Sequence, residues 1–228
     1  MKHLIETTDL SSLGNAKYDR LILDSTKNEI VYRGVKYEYV DLGLPSGLKW
    51  ATMNVGAESE TDYGYYFQWG DIVDKSNADC SWESYKYCNG SDTTLKKYNS
   101  ESYYGIVDNI ETLETKDDAA TQIMGGDWRM PTIAEFGELI ANTTKEWTQV
   151  NGVNGYKFTS SNNGSSIFFP ASGYRSDSSF YNQGSYGEVW SSSVVNNTAS
   201  TLYFGLDDFS PNSESARCDG LTVRGVFK

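Results

Sequence analysis

From residue 39 onward the apolar positions fall in short runs, each broken by Gly, Asn, Ser and Asp clusters. That texture predicts many short strands and structured loops rather than long helices. Upstream, Glu29 to Tyr37 reads as two short strands around a turn at Gly34. Residues 1–38 otherwise hold only scattered apolar positions (Leu13, Leu21, Ile22, Leu23) in a polar segment. They are expected to form an arm for attachment or for self-association into a homo-oligomer, and residues 39–228 a single domain. The run from Tyr63 to Gly70 is too short and too aromatic for a helix. Residues 71–109 are polar and tyrosine-rich and are expected to be a long insertion packed on the core.

Two segments carry helical signals. Asp117 to Met124 places acids at its start, where the helix dipole favours them, and Gly125-Gly126 at its end. A second helix opens at Pro131, with Thr132 and Glu135 at capping-box spacing and an apolar stripe of Ile133, Phe136, Leu139 and Ile140. Gly137 costs about 1 kcal/mol there relative to Ala, which points to a close packing contact. After the helices, strands return. Gly155–Thr159 and Ser166–Phe169 flank Asn162-Asn163-Gly164, a hairpin signal. Further strands are expected at 188–193, 201–206 and 221–227. In the 201 segment Leu202, Phe204 and Leu206 alternate with Tyr203, Gly205 and Asp207, so one set faces the core and the other faces out. Strands, two helices and strands again read as α+β.

Composition narrows the function. The 228 residues carry 19 basic and 31 acidic side chains, a net charge of −12. Nucleic acids and anionic membranes are held through Lys and Arg, so neither is an expected partner, and no apolar stretch is long enough for membrane insertion. Met1 to Thr8 lacks the apolar core of a secretory signal. Aromatics reach 14%, with 17 tyrosines. Tyrosine offers large contact area with few rotors, so the excess points either to a contact surface or to a ring-filled core. Cys80, Cys88 and Cys218 are odd in number. A Cys80–Cys88 bridge and buried free thiols are both open readings.

Catalytic patterns are scarce. The only histidine is His3, near the terminus, so Ser-His-Asp, Cys-His and His-bearing zinc sites lack their imidazole. No phosphate loop, dinucleotide fingerprint or nucleophile elbow occurs, and no cofactor is implied. Carboxylate pairs such as Asp207 and Asp208, or Glu188 near a sheet edge, could serve a glycosidase, which needs only two. Asp207, Asp208 and Asn212 could offer oxygens to calcium, but without the spacing of a calcium loop. Sequons at Asn89, Asn142, Asn163 and Asn196 are read as loop polarity.

Several longer strings carry more information. Tyr39 to Ala57 (YVDLGLPSGLKWATMNVGA) is followed by Tyr63–Gly70 (YGYYFQWG), Trp128–Thr132 (WRMPT), Phe169–Arg175 (FPASGYR), Val189–Ser193 (VWSSS) and Val223–Val226 (VRGV). In this order they resemble a paralogous domain family abundant in gut bacteria and their phages. The resemblance covers residues 39–228. It implies a C-type-lectin-like fold with two helices and a mainly antiparallel sheet, its ligand site on loops. The Glu-Pro-Asn and Trp-Asn-Asp motifs of calcium-dependent lectins are missing, and Cys218 stands alone where the formylglycine-generating branch has a cysteine pair. Neither calcium-bridged sugar binding nor that enzymatic activity is therefore implied.

The C-terminal segment, 173–228, also resembles the variable region of proteins diversified by retroelements. Scaffold-type residues (Gly173, Tyr174, Arg175, Gly184, Trp190, Ser191, Leu202, Phe204, Arg217, Gly220, Arg224) alternate with Asp177, Ser179, Tyr181, Tyr186, Glu188, Val195, Asn196, Tyr203, Gly205, Asp207, Phe209 and Pro211. These twelve are the candidate ligand-binding positions, whether the region is diversified or fixed. The function expected is display of a contact surface for a protein or glycan receptor on a cell surface, without catalysis, from a phage tail. A bacterial surface adhesin or lipoprotein domain, and a carboxylate-dependent glycan-acting enzyme, are the competing expectations.

Overall fold

A computed structural model describes residues 22–24, 26–32 and 35–228. The remaining N-terminal positions, with His3, the Gly34 turn and most of the expected attachment arm, lie outside the described residues. Thirteen strands are present among the described residues. They are β1 (Ile22–Asp24), β2 (Glu29–Tyr32), β3 (Val35–Asp41), β4 (Lys49–Asn54), β5 (Thr143–Val150), β6 (Val153–Ser160), β7 (Ser166–Pro170), β8 (Tyr174–Ser176), β9 (Ser179–Tyr181), β10 (Tyr186–Val195), β11 (Thr198–Gly205), β12 (Phe209–Ala216) and β13 (Arg224–Phe227). Two helices, α1 (Ala119–Met124) and α2 (Ile133–Ala141), separate β4 from β5.

All strand pairs are antiparallel, in four sheets ordered β1-β2-β3-β4-β13, β10-β11-β12, β5-β6-β7 and β8-β9. The last strand returns to the first part of the chain, Val226 facing Trp50. The architecture is mainly antiparallel sheet with two α-helices. The boundary expected at residue 38 falls inside β3, and Ile30 of β2 is buried in the core. The β2–β3 hairpin is thus continuous with the domain sheet.

The helix starts follow local chemistry. Asp118, not Asp117, caps α1 by accepting from the Thr121 amide at 2.9 Å. Asp117 instead turns inward and accepts the Tyr98 hydroxyl at 2.6 Å and the Lys97 ammonium at 2.6 Å. The Thr132/Glu135 capping box of α2 is complete. Gly137 is a correction: it lies on the exposed face of α2, with open space where a Cβ would project. Its helix-weakening effect has no packing return. Leu206 is another: β11 ends at Gly205, so Leu202 and Phe204 are buried while Leu206 is 63% exposed. All three cysteines are buried and free.

Residues 55–101 contain no helix or strand, yet Tyr66, Phe67, Trp69, Cys80, Tyr85, Leu95 and Tyr98 within them are buried. Two fully buried arginines take up backbone carbonyls, Arg217 those of loop and turn residues and Arg224 those of strands β4 and β7. Arg217 donates to the carbonyls of Tyr98 (3.0 Å), Asn196 (3.1 Å) and Lys97 (3.0 Å) and to the Tyr85 hydroxyl (3.0 Å). Arg224 donates to the carbonyls of Ala51 (3.0 Å), Thr52 (2.8 Å) and Phe168 (3.0 Å) and to Asn54 Oδ1 (2.9 Å). Removing a donor from buried carbonyls costs about 1–3 kcal/mol for each one orphaned. Arg224→Met is expected to lower stability by at least about 3 kcal/mol, and Arg224→Lys to recover under half of that, because an ammonium cannot span the fork geometry. Urea denaturation of the three chains checks this.

Candidate ligand-binding face

Strand alternation builds the site. On β10–β11, Val189, Leu202 and Phe204 pack into the core. Tyr186, Glu188 and Tyr203 therefore project from the opposite face, since Glu188 faces Tyr203 and Tyr186 faces Gly205 across the ladder. Beside them the short β8–β9 hairpin pairs Tyr174 with Tyr181. Two glycines make room for close approaches here, one within the hairpin and one between β10 and β11. Gly173 has φ +61°, and a Cβ there would run into the Tyr181 carbonyl; a Cβ on Gly187 would run into the Phe204 ring. The Gly173 amide donates to the Tyr186 carbonyl at 2.7 Å, docking hairpin to strand.

The result is a row of four rings. Tyr181 stacks on Tyr174 at 5.2 Å, Tyr174 on Tyr186 at 6.1 Å, and Tyr186 tilts against Tyr203 at 5.1 Å. Tyr181 is 42% exposed, and the other three are half-buried. Asn182 steadies the row by donating from its side-chain amide to the Tyr186 hydroxyl at 3.1 Å.

Two carboxyls stand at its foot. Glu188 is only 7% exposed; its Oε1 accepts the Thr201 hydroxyl at 3.0 Å and also the Ser215 hydroxyl. Burial pushes the Glu188 carboxyl up, and the nearby Asp219 adds to this. Asp219 itself is pushed up to about 6 by burial, with the charge of Asp177 adding and Ser176 offsetting part. Both acids act on the Tyr174 ring.

The structure gathers Tyr181, Tyr186 and Tyr203 into one surface, with Asp207 exposed on the β11–β12 turn beside Gly205. Asp177 and Ser179 are exposed at the tip and strand of the β8–β9 hairpin. Glu188 and Gly205, expected to point outward, are buried. Glu188 is covered by the rings and hydroxyls around it, and Gly205 by Tyr186. The other positions lie elsewhere. Val195 and Asn196 form the far turn of the β10–β11 hairpin, about 30 Å along the strand from Tyr186. There Asn196 bonds Ser100 and Glu101. Phe209 packs against Tyr156 and Phe158 on the core side, and Pro211 is exposed on the edge strand β12. Two site residues escaped the sequence reading. Tyr174 counts there as scaffold, although the hairpin signal of Ser176 to Ser179 would have paired it with Tyr181. Asp219 gave no signal at all, since its burial arises from distant segments.

Among the described residues no three His, Cys, Asp or Glu side chains cluster as metal ligands would, and no helix is long and apolar enough to cross a membrane. Comparison with protein-family models, with curated proteins and with solved structures returned no match.

Acids whose proton affinity is raised by folding stabilise the fold at low pH and lose that contribution as pH rises through the folded value. For Asp219 the window runs from the ordinary carboxylate range, near pH 4, to about 6 and just above. The parent chain should therefore lose roughly 2 kcal/mol across this window that Asp219→Asn retains. Thermal melts should show the variant more stable at pH 7.5 and the gap closing at pH 4. Equal melting at pH 7.5 would mean that Asp219 ionises freely.

Proposed function

We propose that this chain is a receptor-binding display module with a C-type-lectin-like fold, engaging a cell-surface receptor through the tyrosine row by contact and not by turnover. The observation that carries this reading is the row itself, four adjacent rings turned outward on a sheet whose other face is core. Tyrosines presented together on a rigid element behave as binding anchors, because little side-chain entropy is lost when they are covered. The two helices, the antiparallel sheets and the pairing of β4 with the terminal strand β13 support the fold assignment. Attachment through residues 1–38, to a phage tail or a bacterial surface, completes the proposal.

One observation favours a second reading. Glu188 and Asp219 are two carboxyls of raised proton affinity beside an aromatic surface, Glu188 raised first by burial and further by Asp219, the arrangement from which a glycan-acting enzyme draws its general acid. Oligosaccharide hydrolysis abolished by Glu188→Gln would decide for it.

For the binding reading, the fluorescently labelled chain is applied to gut bacterial cells and scored by flow cytometry. Tyr186→Ala and Tyr203→Ala should each weaken binding about 10- to 100-fold, with unchanged melting temperatures. Lys157→Ala, on the exposed surface of β6, should leave binding within twofold. Binding untouched by both tyrosine variants would move the site off this face. If the region is diversified, substitutions among isolates of the gene should fall on Tyr181, Tyr186, Tyr203 and Asp207 and spare the buried Glu188.

A further inference from the structure

The tyrosine row does not stand over neutral ground. Between residues 173 and 228 the chain has six acids, Asp177, Glu188, Asp207, Asp208, Glu214 and Asp219. Its bases there are Arg175, Arg217 and Arg224, all buried, and the terminal Lys228. Arg175 is already engaged, donating to the Ala78 carbonyl at 2.8 Å and lying over the Phe180 ring at 4.7 Å. Arg217 and Arg224 are spent on backbone carbonyls. The charged groups acting on Glu188, Asp219 and Tyr203 are all acids: Asp219 on Glu188, Asp177 on Asp219, and Asp208 with Glu188 on Tyr203.

Glu188 adds an independent sign. Both hydroxyls that bond it go to Oε1. Among the described residues no donor bonds Oε2, which is not sealed from solvent. A side chain more than nine-tenths buried thus keeps one acceptor unpartnered, beneath three rings on which its charge acts.

The geometry points to a cation-accepting subsite formed by Tyr174, Tyr186 and Tyr203 over Glu188 and Asp219, whose occupant is a lysine or arginine side chain of a protein partner. The inference rests on the reading that this face is the contact surface, and it names the chemistry of what is contacted. Aromatic faces attract cations, and more strongly once water is displaced. A neutral ring, such as a sugar, could also lie on these tyrosines. It would, however, close over the two acids without offering either a counter-charge, and uncompensated burial of acidic groups is unfavourable. A guanidinium or ammonium supplies both the donor that Oε2 lacks and the opposite charge.

The test uses the full chain and a fluorescein-labelled Gly-Ser peptide bearing two arginines, compared with the same peptide carrying uncharged citrulline. Fluorescence anisotropy is read at 0.15 M salt with protein up to millimolar concentration. The arginine peptide should bind at least tenfold tighter than the citrulline peptide. Glu188→Gln, which can still accept the Thr201 and Ser215 hydroxyls, and Tyr186→Leu should each weaken the arginine peptide about tenfold. Glu146→Gln removes the same charge from the exposed surface of β5 and should leave binding within twofold, which separates the subsite from general attraction to an acidic protein. Melting curves confirm that each variant folds, and Asp219→Asn serves if Glu188→Gln does not.

The pH profile gives a second readout. The groups facing the two acids are Tyr174, Tyr186 and Tyr203 from the row, Asp177 from the β8–β9 turn, and the buried Cys80 and Cys218 thiols beside Asp219. The tyrosine hydroxyls and the two thiols, all held above their ordinary range by burial, stay neutral between pH 5 and 7.5, so the charge that changes there is that of Asp219. Arginine-peptide affinity should therefore fall severalfold as pH drops through about 6, where Asp219 takes up its proton.

Equal binding of the two peptides, no binding of either, or an effect of Glu146→Gln as large as that of Glu188→Gln would overturn the cation subsite. The contact-surface reading is judged separately. If both peptides bind equally and Tyr186→Leu abolishes both, the face binds a neutral partner. If cell binding survives the tyrosine variants as well, the face itself is wrong.

Discussion

Two guanidinium groups, Arg217 and Arg224, are fully buried with no carboxylate bonded to either among the described residues, and the six backbone carbonyls they bind tie together loop, turn and strand segments far apart in the chain. A buried cation is tolerated only when hydrogen bonds replace its hydration. Here carbonyl oxygens do so, from loop and turn residues around Arg217 and from strands β4 and β7 around Arg224. Each arginine answers a surplus of acceptors in the segments around it. Arg217 also lies over Trp69 at 5.0 Å and Arg224 over Phe169 at 4.3 Å, so the same groups pack against the large rings of the core. Substituting either one exposes several orphaned carbonyls at once, which is why single-residue energetics understate their effect.

This arrangement fixes the position of the candidate site. Arg217 sits two residues before Asp219, and Gly220 pairs with Arg175 through backbone bonds of 2.8 Å in both directions. Trp190 donates to the Phe67 carbonyl at 2.7 Å and Trp69 to the Ser191 carbonyl at 2.8 Å, tying β10 to the long loop segment. The acid at the foot of the tyrosine row and the strand that carries half the row are therefore held by the same buried polar framework. The site itself pulls the other way. Keeping Glu188 and Asp219 short of water raises their proton affinity and weakens the fold at neutral pH. A scaffold of this rigidity can sustain such a loss, and sites where folding works against stability are where function is concentrated.

The parts of the fold legible in the sequence were those with local causes. The capping box at Thr132 and Glu135, the Asn162-Asn163-Gly164 hairpin and the alternation through Leu202, Tyr203 and Phe204 each depend on residues a few positions apart, and each is present. What escaped depends on segments far apart in the chain. Tyr174 joins the row because the Gly173 amide docks the hairpin on β10, and Asp219 is half-buried with Ser176 and Asp177 of the β8–β9 hairpin acting on it. Gly137 shows the converse error. A local cost suggested a tertiary reason, but the glycine lies in open space. Of the twelve candidate positions, the error at Glu188 is the most instructive: alternation gave its face correctly, but a strand face can be covered from above by the side chains it supports.

That covering is also what allows the surface to change without unfolding the domain. Tyr181, Tyr186 and Tyr203 contact mainly one another and the strand beneath them, whereas Val189, Leu202 and Phe204 on the opposite face carry the packing. Because the two sets alternate along the same strands, replacement of a row residue leaves the core set in register. Surface substitutions of this kind fall within about 0.5 kcal/mol, against about 2–5 kcal/mol for truncation of a core leucine. Affinity and stability are thereby written into alternate positions of one strand pair. An exception is Glu188, which belongs to both sets: its Oε1 secures Thr201 and Ser215 while its Oε2 has no donor among the described residues. Any change there alters fold and contact chemistry together, so the two cannot be varied independently at that position.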